Sequence, residues 1–365
     1  MPRFGKYYPD RFENGESSES SALRNCGNSK KHVTYATPWI IPSTKRYCAG
    51  VIGLHQEIED FYAWIAPREC EYRMRQNVID RITEAVRRKY PHALVECFGS
   101  FPTGLFLPTS DIDVVVFGKW EQFPLYTLQE EFVRSGICFP HDVKILDKAA
   151  VPILKITDQR TGVKVDISFN LVNGINSAKM LNTYIAQFPC LPKLVLVLKQ
   201  FLQYRELNEV FTGGVSSHCL VMMVISFLQL HPRYFPCDRE ENLGVLLIEF
   251  FELYGRHFNY AETTIIVAGS GSYVPKKSFK KRLSDGESVG LLSIEDPIQT
   301  DHDIGRSSYG IMDVRNAFEY AYFQLVRRVT EYDAAGESIL SSIFRISDTL
   351  VEYRKLLQER YGTAS

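Results

Sequence analysis

Three aspartates stand out because each interrupts a short run of β-branched residues. Asp111 and Asp113 flank Ile112 in the run DIDVVVF, and Asp166 lies in the run VKVDISF. Side chains alternate between the two faces of a strand, so Asp111 and Asp113 are predicted to project from one face and Ile112 from the other. Aspartate is disfavoured in strands, and two carboxylates on one face therefore need a reason.

Binding of divalent cations supplies such a reason. Mg²⁺ prefers oxygen ligands and usually binds one or two carboxylates together with substrate phosphates. Two such ions can hold the attacking and leaving oxygens of an in-line displacement at phosphorus. If the strand with Asp166 lies near that with Asp111 and Asp113, the sequence predicts a site for two Mg²⁺ or Mn²⁺ ions. An isolated D-x-D is more often a turn or a solvated strand edge, so this prediction depends on the third carboxylate.

A Gly-Ser pair precedes the first aspartate by ten residues. Gly99 follows a predicted strand, where its missing side chain lets backbone amides approach a phosphate, and Ser100 adds a hydroxyl donor. An ordinary turn at the end of a strand would explain the pair equally well. Its spacing from the D-x-D makes a phosphate-binding turn the more specific interpretation.

The elements that must position these residues form an α+β pattern along the chain. Short β-branched runs (ALVECF, DIDVVVF, KAAVPILKITD and VKVDISF) predict strands, and a helix is expected over 125–134. Helical periodicity predicts helices in 51–90 and near 177–187, 192–205, 217–230, 242–255, 312–330 and 337–359, whereas 262–310 is predicted to be loop-rich. The predicted organisation is a disordered tail (1–45), N-terminal helices packed on the central domain (46–90), a catalytic domain (91–176), a central domain (177–335) and a C-terminal helix and tail (336–365).

Composition restricts the functional classes. A net charge of −1 argues against a whole-chain electrostatic grip on nucleic acid. The eight cysteines form no C-x-x-C pair, so no structural zinc is expected. No run reaches the roughly 18 apolar residues that a membrane span needs. With no recognisable leader, these features predict a reducing compartment, cytosol or nucleus, and no membrane partner.

One basic run could contact RNA locally. The segment PKKSFKKR places five positive charges around an aromatic ring in a predicted loop: Lys276, Lys277, Lys280, Lys281 and Arg282. Such a run can meet phosphates, and a solvated surface loop would look the same. We expect weak RNA binding with little sequence preference.

Five motifs together resemble one enzyme superfamily over about residues 48–330: FGSFPTGLFLPTSDIDVVVFGKW, VKVDISFN, LVLVLKQFL, LNEVFTGGVSS and IEDP…GRSSYG. They resemble the DNA-polymerase-β-like nucleotidyltransferases and, more narrowly, the noncanonical poly(A) polymerases of the TRAMP and exosome type. The resemblance implies a catalytic palm with a mixed sheet, embedded in a mainly helical central domain. It also implies template-independent addition of AMP from ATP to RNA 3′ ends.

The resemblance assigns further roles in a nucleotide site. Asp111 and Asp113 would bind both metals, and Asp166 would bind one and help deprotonate the RNA 3′ hydroxyl. Ser100, Lys199 and Ser217 would contact the triphosphate, and Gly174 would lie by the ribose. From the residues alone, Lys199 in an apolar helix is equally typical of a snorkelling side chain, and Ser217 is predicted to be a helix N-cap.

Two histidines depart from the pattern of adenylating relatives. His218 stands where a tyrosine normally stacks on the base, and an imidazole can still stack with less area. His302 stands where asparagine is usual and resembles terminal uridylyltransferases, in which this ring crowds a purine. Gln299, Asp303 and the GRSSYG segment with Arg306 remain like the adenylating branch. Uridylation or mixed addition is therefore the alternative activity, and drift at tolerant positions would also explain both changes.

The resemblance extends to partners and location. It implies RNA 3′ ends as substrates, a zinc-knuckle RNA-binding protein and an exosome-linked helicase as partners, and a nuclear location, with the cytoplasm also compatible. A non-catalytic scaffold is a weaker alternative because all three aspartates are present. CCA-adding enzymes and oligoadenylate synthetases share the D-x-D but fit the central-domain motifs poorly.

Overall fold

A mixed sheet forms the centre of the predicted catalytic domain. The computed structural model describes residues 35–40, 47–148, 151–232, 241–284, 288–331 and 338–362. Its strands are β1 (Tyr35–Ala36), β2 (Leu94–Phe98), β3 (Ile112–Phe117), β4 (Val143–Leu146), β5 (Ile153–Thr157), β6 (Lys164–Phe169), β7 (Thr263–Ile266), β8 (Ser272–Pro275) and β9 (Ile346–Ser347). Five of them form the sheet β2-β3-β6-β5-β4, in which β3 and β6 are parallel and the other neighbours antiparallel. The expectation of an α+β fold with a mixed sheet is confirmed.

Helices make up most of the remaining described structure. They are α1 (Gly50–Ile65), α2 (Glu69–Lys89), α3 (Ser100–Thr103), α4 (Leu125–Arg134), α5 (Val172–Gln187), α6 (Leu191–Tyr204), α7 (Ser217–Leu230), α8 (Leu243–Glu252), α9 (Lys276–Lys280), α10 (Ile311–Thr330) and α11 (Asp348–Tyr361). Helix α1 packs on α6, α8 and α10, whereas α2 packs on α4 and α11. Helices α6 and α7 are apolar on nearly all sides because both are enclosed in the core.

No single helix among the described residues is long and apolar enough to cross a membrane. Helices α5 and α6 meet that length and composition only when taken together, across a bend of 117°.

The predicted C-terminal helix over 337–359 is wrong in its first half. A 3₁₀ turn (Leu340–Ser342) and strand β9 come first, and α11 begins only at Asp348. Ser347 caps α11 by accepting a hydrogen bond from the Leu350 amide at 3.3 Å. The preceding apolar residues follow a helical spacing, but a distant carboxylate binds the backbone there. Glu57 accepts a hydrogen bond from the Ile339 amide at 2.7 Å.

The predicted disordered tail, residues 1–45, lies largely outside the described residues, but its part from 35 to 40 is ordered and corrects the expectation. Strand β1 pairs antiparallel with β9. Trp39 is 3% exposed, packs against Phe61 with ring centroids 5.2 Å apart, and donates to Glu57 at 2.9 Å. Trp39 therefore anchors residues 35–40 to the core, although the surrounding sequence is polar.

Smaller differences concern element bounds. Helix α5 begins at Val172, so the expected boundary between residues 176 and 177 falls inside a helix. Strand β4 was not predicted, and the loop-rich segment 262–310 contains the β7–β8 hairpin and the five-residue helix α9. Helices α4 and α7 have the predicted bounds.

A buried ion pair joins the N-terminal helices to α11. The side chains of Arg354 and Glu71 are 2% and 1% exposed, and Arg354 Nη2 donates to Glu71 Oε2 at 3.0 Å. Arg354 also donates to the carbonyls of Trp64 and Ala66. These contacts fix the turn between α1 and α2 against the C-terminal helix.

We expect Arg354→Ala to lower the free energy of unfolding by about 3–5 kcal/mol, because it leaves the Glu71 carboxylate buried without its partner. Urea denaturation would measure the loss. The matched control is Glu69→Ala on the same helix, because its carboxylate is 73% exposed and pairs with Arg73 at the surface. Equal losses in the two variants would contradict a structural role for the buried pair.

Candidate active site

The parallel pairing of β3 with β6 brings the predicted carboxylates together. Asp113 is the direct register partner of Asp166, and Asp111 immediately precedes β3 rather than lying within it. Ile112 and Val114 are fully buried, so the aspartates project from the opposite face as predicted. All three line one cavity of about 1890 Å³ between the sheet and the central helices.

Gly99 makes room for one of these carboxylates. Its φ of +69° is in the region that favours glycine, and a Cβ there would lie 2.2 Å from Asp113 Oδ2. Any larger residue would displace the carboxylate. The structure thus gives Gly99 a role in addition to the predicted approach of backbone amides to a phosphate, and Ser100 begins the short helix α3 on the cavity wall.

The carboxylates are held in an unfavourable environment. Burial, followed by the charges on Asp166 and Asp111, raises the pKa of Asp113 to about 7. Burial and then Asp166 also raise the pKa of Asp111. Negative charge is therefore concentrated where few protein groups offset it.

Lys155 is a site residue that the sequence reasoning missed. It is the register partner of Asp166 across β5 and β6, and its ammonium is hydrogen-bonded to Asp166 Oδ2. Although burial alone would lower it, the pKa of Lys155 is raised by its bond to Asp166 and by the charge of that carboxylate. The available signal was a lysine between the apolar residues of the run ILKIT, which predicts that it projects from the aspartate face.

Arg75 was also missed, and it holds the loop that carries Asp111. It lies on α2, is fully buried, and its guanidinium carbon lies 4.4 Å from the centre of the Phe106 ring. Its guanidinium donates to the carbonyls of Leu107 at 3.3 Å, Pro108 at 3.2 Å, Ser110 at 2.8 Å and Asp111 at 3.5 Å. One side chain therefore fixes the backbone between Phe106 and the first aspartate.

Lys199 and Gly174 both lie on the cavity wall, and their contacts with the triphosphate and the ribose stay predictions. Lys199 is 7% exposed and donates to the Leu105 carbonyl at 2.7 Å. Burial lowers its pKa to about 8, against the opposing influence of Asp113. Gly174 lies against the ring of Phe98. A Cβ at this position would be only 2.6 Å from Phe98 Cδ2, so the missing side chain makes room for the ring.

Ser217 and His218 open α7 at the cavity, with one correction. The N-cap is Ser216, whose hydroxyl accepts from the Cys219 amide at 3.1 Å, so the prediction that Ser217 caps the helix is wrong. Ser217 is exposed at the first helical position, where a free amide and the helix dipole favour anions. Burial lowers the pKa of His218, and Asp296 opposes this effect.

His302 and Arg306 are outside the cavity wall. Their loop is fixed by Asp303, a 2% exposed residue that accepts hydrogen bonds from Gly290 N, Ile294 N and Gly305 N at 2.9–3.0 Å. The loop approaches α5 through Gln299, which accepts a hydrogen bond from Asn173 at 3.3 Å, and it reaches the cavity through Asp296.

The basic run is partly structural. Lys276 donates to the carbonyls of Tyr260, Gly290 and Leu291 at 2.5–2.8 Å, so its ammonium is committed to the β7–β8 region. Arg282 pairs with Glu295 at 2.7 Å and Phe279 is fully buried. Lys277, Lys280 and Lys281 are exposed, and an RNA contact by this run stays a prediction.

The oxygen donors fit divalent cations of the Mg²⁺ or Mn²⁺ type. In the part of the chain that the structure describes, no three carboxylate, imidazole or thiolate groups are arranged as a complete set of metal ligands, and Asp166 is paired with Lys155. Burial and the neighbouring carboxylates raise the pKa values of Asp111 and Asp113, and a bound divalent cation would oppose this effect. The three residues are therefore suited to hold metal together with substrate oxygens.

Two family models match the chain. The model for the central palm domain of mitochondrial-like poly(A) RNA polymerase matches residues 54–186. The model for Cid1 family poly A polymerase matches residues 242–302.

Relatives cover most of the sequence. The inactive noncanonical poly(A) RNA polymerase protein Trf4-2 of Drosophila melanogaster is 41% identical over 327 residues, 87% of this chain and 80% of that protein. Poly(A) RNA polymerase protein 2 of Saccharomyces cerevisiae is 38% identical over 302 residues, 79% of this chain and 51% of that protein. The chain spans 39–51% of the length of this yeast protein and five further curated relatives.

A solved structure also resembles most of the chain. It is that of the polymerase core of TRAMP, an RNA surveillance complex, with a TM-score of 0.73 and 36% identity. The match covers 84% of this chain and 99% of that chain.

Asp113→Asn should stabilise the metal-free protein in a pH-dependent way. The pKa of Asp113 rises from 3.8 to about 7 on folding, so the folded protein binds a proton that the unfolded chain loses between these values. Stability therefore falls as pH rises through this window, and the uncharged variant escapes that fall. We expect it to be more stable by on the order of 2–4 kcal/mol at pH 8 and by much less at pH 5.

Urea denaturation in a metal chelator at the two pH values measures this difference. Asp80→Asn, the same change on the exposed face of α2, is the control and should show no such pH dependence. An equal effect of Asp113→Asn at both pH values would contradict the buried charge repulsion.

Proposed function

The chain belongs to the family of noncanonical poly(A) RNA polymerases, and we propose that it transfers AMP from ATP to RNA 3′ ends without a template. The observation that carries the proposal is the pairing of β3 with β6, which sets Asp113 beside Asp166 on the wall of a large cavity. The similarity to poly(A) RNA polymerase protein 2 and to the TRAMP polymerase core supports the same reaction. Tails of this kind would mark RNA for exosome processing or decay.

The chemistry follows from the cavity wall. Two Mg²⁺ or Mn²⁺ ions would bind Asp111, Asp113 and Asp166 and stabilise charge that develops on the transferred phosphoryl group. Asp166, with a 21% exposed side chain, faces the cavity and would accept the proton of the RNA 3′ hydroxyl. Its Oδ2 is hydrogen-bonded to Lys155 of β5, on the side of β6 opposite Asp113 of β3.

The triphosphate would lie against Lys199, Ser100 and the first turn of α7. Burial lowers the pKa of Lys199 to about 8, and an anionic triphosphate beside it would raise that pKa and keep the ammonium charged. Ser217 at the start of α7 would donate to a phosphate oxygen. His218, the next residue on the same wall, would stack on the base.

Partners and location form part of the same proposal. We infer that RNA binding by the isolated chain is weak, and that a zinc-knuckle RNA-binding protein and an exosome-linked helicase complete the assembly in the nucleus. The TRAMP polymerase core, itself part of an RNA surveillance complex, supports this setting by similarity.

Two specific observations favour other outcomes. His302, in the loop beside the cavity, favours uridylation or mixed addition. The relative Trf4-2, which is named inactive at 41% identity, favours a scaffold without activity. The three carboxylates and the cleared space at Gly99 favour an active enzyme over such a scaffold.

A primer-extension assay tests the proposal. Purified protein with Mg²⁺ and each of the four nucleoside triphosphates in turn should extend an RNA primer best with ATP. Asp111→Ala combined with Asp113→Ala should abolish extension, since the metal ligands are lost, while Asp80→Ala on the exposed face of α2 should retain it. Folded wild-type protein that extends no primer with any nucleotide would favour the scaffold, and full activity in the double variant would overturn the assigned site.

His302→Asn tests the basis of nucleotide choice. The smaller side chain relieves crowding of a purine, so we expect the ratio of kcat/KM for ATP to that for UTP to rise about tenfold, the effect of one contact of ~1.4 kcal/mol. Steady-state kinetics with each nucleotide measure the ratio. His257→Asn, at a 61% exposed side chain, is the control. An unchanged ratio would remove His302 from base selection.

A further inference from the structure

Phe211 presents an unusually exposed ring inside the catalytic cavity. Its side chain lies on the cavity wall, yet the residue is 93% exposed, the highest value among the exposed large apolar residues of the described structure. Burial of an aromatic ring is favourable, and a protein that leaves one in solvent at its active site has a surface ready for an apolar ligand.

The backbone beneath this ring is rigid. Phe211 is the middle residue of a 3₁₀ turn (Val210–Thr212), and the turn is closed by the Gly213 and Gly214 amides, which donate to the carbonyls of Val210 and Glu209 at 2.9 Å each. The hydroxyl of Tyr309 donates to the Phe211 carbonyl at 2.8 Å, and the Gly310 amide donates to the Gly213 carbonyl at 2.9 Å. The exposure therefore does not come from a loosely held loop.

The turn lies close to the catalytic carboxylates. Glu209, two residues before Phe211, also lines the cavity and is near enough to Asp111 and Lys155 to act on both electrostatically. Phe211 therefore lies on the turn that borders the aspartates proposed to receive the reacting hydroxyl.

The neighbouring wall has the chemistry of a single-strand binding surface. Tyr320 and Phe323 of α10 line the same cavity, and the guanidinium of Arg205 lies 4.7 Å from the centre of the Tyr320 ring. Arg205 is half-buried and lines the same cavity, so its guanidinium is placed to meet a phosphate oxygen of a bound strand. Exposed rings next to cationic groups bind single-stranded nucleic acid by stacking the bases and pairing the phosphates.

We propose that Phe211 is the stacking surface for the 3′-terminal base of the RNA, with Arg205 contacting the backbone behind it. This inference rests on the proposed RNA 3′-end activity and specifies its acceptor subsite. In the proposed nucleotide site the triphosphate would lie by Lys199 and Ser217. The two substrates would then use different aromatic contacts: His218 for the incoming base and Phe211 for the base already in the chain. Stacking tolerates all four bases, which suits an enzyme that acts on many RNA ends.

The test compares two RNAs with two proteins. A fluorescent 15-mer and the same 15-mer lacking its 3′-terminal base are titrated into wild-type protein and Phe211→Ala, without nucleotide or metal, and read by anisotropy. We expect removal of the terminal base or Phe211→Ala to raise the Kd about tenfold or more when made alone. The two changes combined should raise the Kd no further, because each removes the same stacking contact. Phe211→Trp should restore binding of the intact RNA. Phe139→Ala, at a 41% exposed ring outside the cavity wall, is the control and should bind like wild type.

The outcomes separate this inference from the proposed activity. Two outcomes would overturn stacking on the terminal base. One is that the loss of affinity from Phe211→Ala and the loss from removing the base add up when both are combined. The other is that Phe211→Ala binds the intact RNA as tightly as wild type. Because binding is measured without catalysis, a protein that extends no primer could still show the predicted coupling. In an active protein, Phe211→Ala should raise KM for RNA while KM for ATP stays unchanged, and a rise in KM for ATP alone would assign the ring to the incoming nucleotide instead.

Discussion

The parallel pairing of β3 with β6 is the constraint around which the site is built. It places Asp113 directly beside Asp166 and next to Asp111, in a cavity where burial makes their mutual repulsion costly. This arrangement weakens the fold, and it persists because the surrounding structure holds it in place. The same repulsion makes the site attract divalent cations and anionic substrates bound to them, so the cost to stability and the capacity for catalysis have one origin.

The supports for this arrangement come from distant parts of the chain. Arg75 on α2 fixes the carbonyls of the loop before β3, and Glu71, one turn earlier, pairs with Arg354 of α11. Tyr353 and Glu71 both lie near enough to Arg75 to act on it electrostatically. The C-terminal helix therefore supports the catalytic loop through α2, although α11 is separated from β3 by the whole central region. Packing of α1 on α6, α8 and α10 gives that support a rigid base.

Sequence reasoning succeeded where the pattern is local. Alternation of β-branched residues located four of the five palm strands and the face on which the aspartates lie, and periodicity gave α4 and α7 their bounds. The predictions failed where contacts between distant parts of the chain determine the position of a side chain or the start of a helix. Nothing local indicates that Arg75 binds loop carbonyls, that Lys155 is set opposite Asp166, or that Glu57 binds the amides before α11 and prevents a longer helix. Two adjacent serines, Ser216 and Ser217, could each cap α7. Only the backbone conformation shows that the cap is Ser216, and the sequence does not determine it.

Under the proposed function, the residues assigned to the reaction and the residue assigned to the choice of base lie in separate parts of the molecule. The carboxylates lie on β3 and β6, two neighbouring interior strands of the sheet, where a one-residue shift of β6 would turn Asp166 to the opposite face and expose the core side of the strand. His302 lies instead in a loop that Asp303 fixes through its own hydrogen bonds to Gly290, Ile294 and Gly305. These hydrogen bonds lie outside the palm sheet, so the side chains of the loop can differ without displacing the aspartates. Under the proposed function, the three aspartates would therefore determine the reaction without determining which nucleotide is added.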